Sequence, residues 1–150
     1  MITYQSEPLS KFIEDGREMF KRHSEESSDR PDVIPLNINF NMYLKLEAAN
    51  KIIALTARDD GKLVGYTLWI LTRHLHYSTS LTATSSLVYV DPEYRKGLTG
   101  YKLIKWSIEK IKKRGVQRIL IGVKPNKDFG KLLERLGATY FEKTYSIVLD

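Results

Sequence analysis

An α/β domain on a mixed sheet is predicted by three observations. The apolar period changes from helical spacing before Asn50 to strand spacing from Ile52 onward. Asp60-Gly61 stands between two apolar runs and signals a tight hairpin. A long amphipathic helix then leads into Val116 to Val123, an apolar run without alternation, as expected of a strand covered on both faces. The order of elements reads β-α-α-β-β-β-α-β-α-β, with an optional further β at the end.

Ile2 to Gln5 forms a short first strand. From Leu9 to about Glu26, Phe12, Ile13, Met19, Phe20 and His23 recur at helical spacing, with Ser10 as the N-cap. Ser24 to Asp32 is polar and breaks at Pro31, a loop. Asn39 to Asn50 places Phe40, Tyr43, Leu44 and Ala48 on one helical face. Ile52 to Arg58 and Lys62 to Thr72 are the hairpin strands, and Ser80 to Val90 is a third strand. Thr99 to Arg114 is the long helix, with Tyr101, Ile104, Ile108 and Ile111 in one stripe and Gly115 ending it. Lys127 to Leu136 is a short helix that stops at Gly137, and Ala138 to Leu149 closes the chain as a strand or hairpin.

With 150 residues, 42% of them hydrophobic, the chain is expected to form one domain over residues 1–150. No run approaches the roughly 18 apolar residues of a membrane span. The beginning, MITYQSEPLSK, lacks the pattern of a secretory signal. The absence of cysteine excludes disulfides and thiolate chemistry and fits a cytoplasmic location. Lys and Arg exceed Asp and Glu by 24 − 18 = 6, largely between Arg95 and Arg118. Nucleic-acid binding through this basic helix is the weaker reading, because only Tyr101 and Trp106 interleave aromatics and no binding motif appears.

The stretch Leu87 to Gly115 carries the strongest functional signal. A strand reaches a Pro-containing turn, then a basic, glycine-bearing loop (Arg95 to Gly100), then the helix. That order brings backbone N–H groups and a helix N-terminus to one point, suited to a pyrophosphate. GxxxxGK[ST] and GxGxxG are both absent, so this is neither a Walker loop nor a dinucleotide fingerprint. Arg95, Lys96 and Lys102 add charge close to the loop.

VDPEYR (Val90 to Arg95) resembles the turn before the acetyl-CoA loop of the GNAT N-acetyltransferase superfamily. Arg95 and Gly100 match the first and last positions of its [Q/R]-x-x-G-x-[G/A] loop, while Leu98 holds the middle position and Gly97 sits one residue early. GKLVGYTLW (Gly61 to Trp69) is similar to the family hairpin. NKDFGKLLERLG (Asn126 to Gly137) resembles its last helix, with Phe129 in place of an alanine. EKTYSIVL resembles its closing strand. A narrower likeness, to a phage and bacterial subgroup, rests on His23-Ser24-Glu25-Glu26, His74-Leu75-His76-Tyr77 and Arg95 to Ile104.

The resemblance implies a GNAT (acyl-CoA N-acyltransferase) fold, with helices on both faces and central strands that splay to admit pantetheine. It implies acetyl-CoA as co-substrate and a primary amine of a small molecule or protein as acceptor, in the cytoplasm of a bacterial or phage-infected host cell. A homodimer is compatible with the sequence. Amides of Lys96, Gly97, Leu98, Thr99, Gly100 and Tyr101 would face the pyrophosphate, with Arg95 and Asn126 also binding cofactor. Val88 and Val90 would pair with pantetheine, and an amide there would polarise the acetyl carbonyl.

The customary strand carboxylate is missing from Thr84-Ser85-Ser86-Leu87, and Leu133 occupies the position of the customary tyrosine acid. His76 is the substitute base, because a histidine accepts a proton near neutral pH; the bland reading of His74 and His76 is loop histidines. A two-His metal site lacks a third ligand. Tyr145 or Tyr140 stands in as acid, or both pack in closing strands. Ser86 positions a water, or is an ordinary strand serine. Glu25, Glu26, Asp29 and Asp32 form an acidic loop that attracts a cationic amine or is merely solvated. The alternative function is a GNAT-fold binding or structural module that has lost turnover.

Overall fold

A computed structural model describes residues 1–149. β1 (Ile2–Glu7) enters α1 (Leu9–Ser27), followed by α2 (Phe40–Ala48). β2 (Ile52–Asp59), β3 (Lys62–His74) and β4 (Tyr77–Val90) form an antiparallel meander. A 3-10 turn (Pro92–Tyr94), α3 (Thr99–Lys112), β5 (Arg118–Leu120) and α4 (Gly130–Arg135) complete the elements. Strands lie in the order β1-β2-β3-β4-β5, antiparallel except for the β4–β5 pair, which is parallel. This is the mixed α/β sheet that the sequence predicts. Among the described residues, no helix is long and apolar enough to cross a membrane.

The two faces of the sheet explain the patterning. Ile52, Ala54, Tyr66, Leu68 and Tyr89 pack beneath Leu9, Phe12, Ile13, Met19 and Phe20 of α1. The alternate residues Ile53, Leu55, Trp69, Leu71 and Ala83 meet Ile111 of α3. β2 is therefore covered on both sides, which is why IIALTAR shows no alternation. The hairpin turn uses φ of 47° at Asp60 and 90° at Gly61, backbone that Asp and Gly tolerate best. Gly65 is tightly packed, since a Cβ there would lie 3.1 Å from Tyr89 O and 3.2 Å from Val90 Cγ2.

Polar groups in this core are paired. Arg58 donates to both carboxylate oxygens of Glu7 at 2.6 and 3.0 Å and to Asp15 Oδ2 at 2.7 Å. Trp69 Nε1 donates to Thr67 Oγ1 at 2.7 Å, and Thr67 Oγ1 lies 2.9 Å from Ser107 Oγ on α3.

Several boundaries differ from expectation. The chain enters α1 through Pro8 (φ −58°), not through a Ser10 cap, and Glu47 Oε2 of α2 accepts the Leu9 N–H at 2.7 Å. The strand expected over Val116 to Val123 shrinks to Arg118–Leu120. Its ladder joins Thr82, Ala83 and Thr84 of β4 to Arg118, Ile119 and Leu120 and ends there, just before an irregularity bends β4. The helix expected from Lys127 to Leu136 starts later, at Gly130, whose own N–H is taken by Asp128 Oδ1 at 2.8 Å. Residues 138–149 form no strand, contrary to the expected closing strand or hairpin. A three-residue edge gives them little to pair with, and Tyr140, Phe141, Tyr145, Ile147 and Leu149 are exposed.

Candidate functional site

The site begins where β4 and β5 part. Their ladder ends at Thr84 and Leu120, and Gly122 N–H donates to Ser85 Oγ at 3.2 Å, closing the apex of the gap. Leu68 pairs with Leu87 and Trp69 with Ser85, so Ser86 is the extra residue of a β-bulge, a feature that bends its strand. Beyond the bulge, Leu87 to Val90 stay paired to β3 on one edge. Among the described residues their other edge has no strand partner. The backbone of Val88 and Val90 thus borders an open slot.

At the end of β4, Asp91 N–H bonds to Val64 O at 2.8 Å, and Asp91 Oδ1 accepts the Glu93 N–H at 3.3 Å. Tyr94 Oη donates to Asp59 Oδ2 at 2.9 Å, fixing the turn to the hairpin. The loop then enters α3 with no side-chain cap. Among the described residues, the backbone N–H groups of Lys96 through Tyr101 have no hydrogen-bond acceptor; the first bond into the helix is Lys102 N–H to Leu98 O, 2.9 Å. These free donors and the helix dipole favour an anion there. A Cβ on Gly97 would meet nothing within 4 Å, and one on Gly100 only Val90 Cγ2 at 3.8 Å. Leu98 is 63% exposed over the same loop.

Arg95 points elsewhere. Its Nε donates to Val90 O at 2.7 Å and its Nη2 to Glu26 at 2.9 and 3.1 Å, with the guanidinium over the Tyr89 ring. Glu26 also accepts from Tyr89 Oη at 3.3 Å and lies 3.8 Å from Lys127 Nζ. Lys124 Nζ donates to Ser27 O, and Arg22 pairs with Asp91 at 3.0 Å. The last turns of α1 therefore bracket the slot, tied to β4 on one side and to the segment after β5 on the other.

His23 belongs to this bracket. Its Nδ1 is 2.9 Å from Tyr66 Oη, and its ring stacks on Tyr89 at 4.7 Å. Burial, followed by the charges of Lys124 and Arg95, holds its pKa below the ordinary value, against the opposing pull of Glu26. Burial pushes the Tyr66 phenol far above its usual range.

The structure gathers Ser86, Val88, Val90 and the 95–101 loop around one slot. It does not bring His76 there. His76 sits at the exposed β3–β4 tip, where its N–H meets His74 Nδ1. The strand from Tyr77 to Ser85 puts about 26 Å between that tip and the slot. Tyr145 is 81% exposed, against Lys143. Asn126 is exposed on the segment after β5. Leu133 is buried in packing. In the sequence, His23 stands out only on an apolar stripe and in a family likeness; its link to Tyr66 and Tyr89 depends on strand register.

A family model described as the acetyltransferase (GNAT) family matches residues 12–138. No curated protein sequence matches. Among solved structures, an aminoglycoside acetyltransferase from an uncultured soil metagenomic sample, in complex with sisomicin, is 17% identical, with TM-score 0.73 over 99% of this chain and 97% of that one. A ribosomal-protein-alanine N-acetyltransferase from Brucella melitensis biovar Abortus is 16% identical, with TM-score 0.72 over 100% of both chains. A glucosamine-6-phosphate N-acetyltransferase from Arabidopsis thaliana is 13% identical, with TM-score 0.72 over 100% and 99%.

Proposed function

The chain belongs to the acetyltransferase (GNAT) family, and from that premise we propose that it transfers the acetyl group of acetyl-CoA to a primary amine of a small molecule or protein. The observation that carries this reading is the run of free N–H groups from Lys96 to Tyr101 beside the unpaired edge of β4. The donors fit a pyrophosphate, and the edge at Val88 and Val90, which among the described residues has no strand partner and on which Arg95 holds Val90 O, fits the amide-bearing arm of pantetheine. Leu98 leaves the backbone donors in place but narrows the approach. Acetyl-CoA, when bound, supplies the activated acyl group. The chain orients it, one β4 amide polarises the carbonyl, and Ser86 holds a water that takes the amine proton. Solved structures whose names give an aminoglycoside, a ribosomal-protein alanine and glucosamine 6-phosphate support an amine acceptor of either size.

The working unit is one domain over residues 1–150. The His23–Glu26, His74–Tyr77 and Arg95–Ile104 segments support the phage and bacterial subgroup, and a cysteine-free chain supports a cytoplasmic setting.

Thermal unfolding with millimolar acetyl-CoA tests cofactor binding, because a ligand of the native state raises Tm. Thiol release over an amine panel then tests transfer. An unchanged Tm overturns the reading. A second reading, a binding module without turnover, is favoured by the missing carboxylate at Thr84 to Leu87 and by the buried Leu133. Binding without thiol release would select it.

A further inference from the structure

Tyr66 is fully buried, and among the described residues its hydroxyl has one hydrogen-bond partner, His23 Nδ1. A buried phenol that stays protonated donates to that partner. Nδ1 is therefore the acceptor, and the imidazole proton resides on Nε2. Protonating the ring would set a second N–H against the Tyr66 oxygen and leave the phenol proton without an acceptor. His23 is thus a neutral N–H donor at pH 7 rather than a base.

Its ring lies against a residue that borders the slot. Tyr89, on which the ring stacks, is a β4 residue between Val88 and Val90. Glu26, one turn further along the same helix, is held by Arg95 on the β4 side, and Lys124 on the β5 side donates to Ser27 O. Among the described residues Nε2 has no hydrogen-bond partner.

We propose that His23 Nε2–H donates a hydrogen bond to the coenzyme A sulfur as the thioester opens, the task left without a tyrosine at Leu133. This rests on the acetyl-transfer reading. The amine nitrogen forms the C–N bond, the C–S bond breaks, and its electron pair stays on sulfur. The surplus amine proton passes to water. His23 keeps its proton, and the thiolate takes one from water on release. Tyr66 is a positioning residue, acting through the tautomer of His23.

Calorimetric titration of coenzyme A and of its desulfo analogue, with wild type, His23→Ala and His23→Gln, tests the assignment without an acceptor. At pH 9 part of the coenzyme A thiol is ionised, and a hydrogen-bond donor facing the sulfur raises that share in the complex. Wild type should prefer coenzyme A over the desulfo analogue by about tenfold, the scale of one charge-assisted hydrogen bond. His23→Ala should lose the preference, and His23→Gln, which retains an N–H donor, should keep most of it. Nitrogen NMR of wild type should show the Nε2–H tautomer at pH 7. An unchanged preference in His23→Ala, or an Nδ1–H tautomer, removes the role of His23 alone. Binding of neither ligand by wild type overturns the acetyl-transfer reading and this assignment with it.

Discussion

Replacing Leu98 by Glu separates the loop's structural duty from its binding duty. Leu98 is 63% exposed and makes no cap hydrogen bond at the start of α3, so little packing is lost. A carboxylate beside the first turn meets the positive end of the helix dipole, a gain of about 0.3–1 kcal/mol. The free protein should therefore unfold at the same temperature or slightly higher. A bound pyrophosphate would feel the opposite effect. One added charge about 6 Å from one phosphate costs about 0.7 kcal/mol in water-like surroundings and about 2.8 at an effective dielectric of 20, or roughly 3- to 100-fold in affinity. Thermal unfolding and acetyl-CoA calorimetry on one preparation read both numbers. Wild-type affinity in Leu98→Glu would show that the pyrophosphate does not lie at this loop, and a marked fall in the free protein's Tm would refute the account of the helix start.

The core and the bracket around the slot lead to three further outcomes. Glu7→Ala leaves the buried Arg58 with Asp15 as its one carboxylate and should cost about 3–5 kcal/mol in urea unfolding, whereas a loss below about 1 would show that the pair is dispensable. Gly65→Ala drives a Cβ against Tyr89 O and Val90 Cγ2 and should cost about 1–3 kcal/mol, with weaker acetyl-CoA binding; wild-type values for both refute the packing argument. The folded pKa of His23 is lowered, so the unfolded chain binds more protons between that value and about 6.5. The stability it contributes is present above about pH 6.5 and lost as pH falls through this window. His23→Gln should flatten the fall, and identical pH profiles contradict the burial of His23.

Much of this arrangement is legible in the sequence, because it depends on local signals. Asp60-Gly61 makes its turn, the stripe of α1 faces the core, and the loop that begins at Arg95 leads from β4 into α3. Of the expected α3 stripe Ile104 and Ile111 are buried, with Leu103 and Ser107 beside them, while Tyr101 and Ile108 are half-buried. What is not legible depends on distance. The short β5 goes with a bulge at Ser86 that bends its neighbour. A closing strand is expected from apolar residues at 140–149 that the structure leaves exposed. His76 is suitable by chemistry, yet strand length carries it to the far tip of the hairpin. His23 meets Tyr66 and Tyr89 only because register sets those two tyrosines side by side beneath α1.

A crystal structure with coenzyme A bound would locate the cofactor outright. Pyrophosphate oxygens should lie within hydrogen-bond distance of amides between Lys96 and Tyr101. Pantetheine should run along Val88 and Val90, with the sulfur on the His23 side of the slot. Coenzyme A bound away from the 95–101 loop, or absent at millimolar concentration, would overturn this assignment of the site.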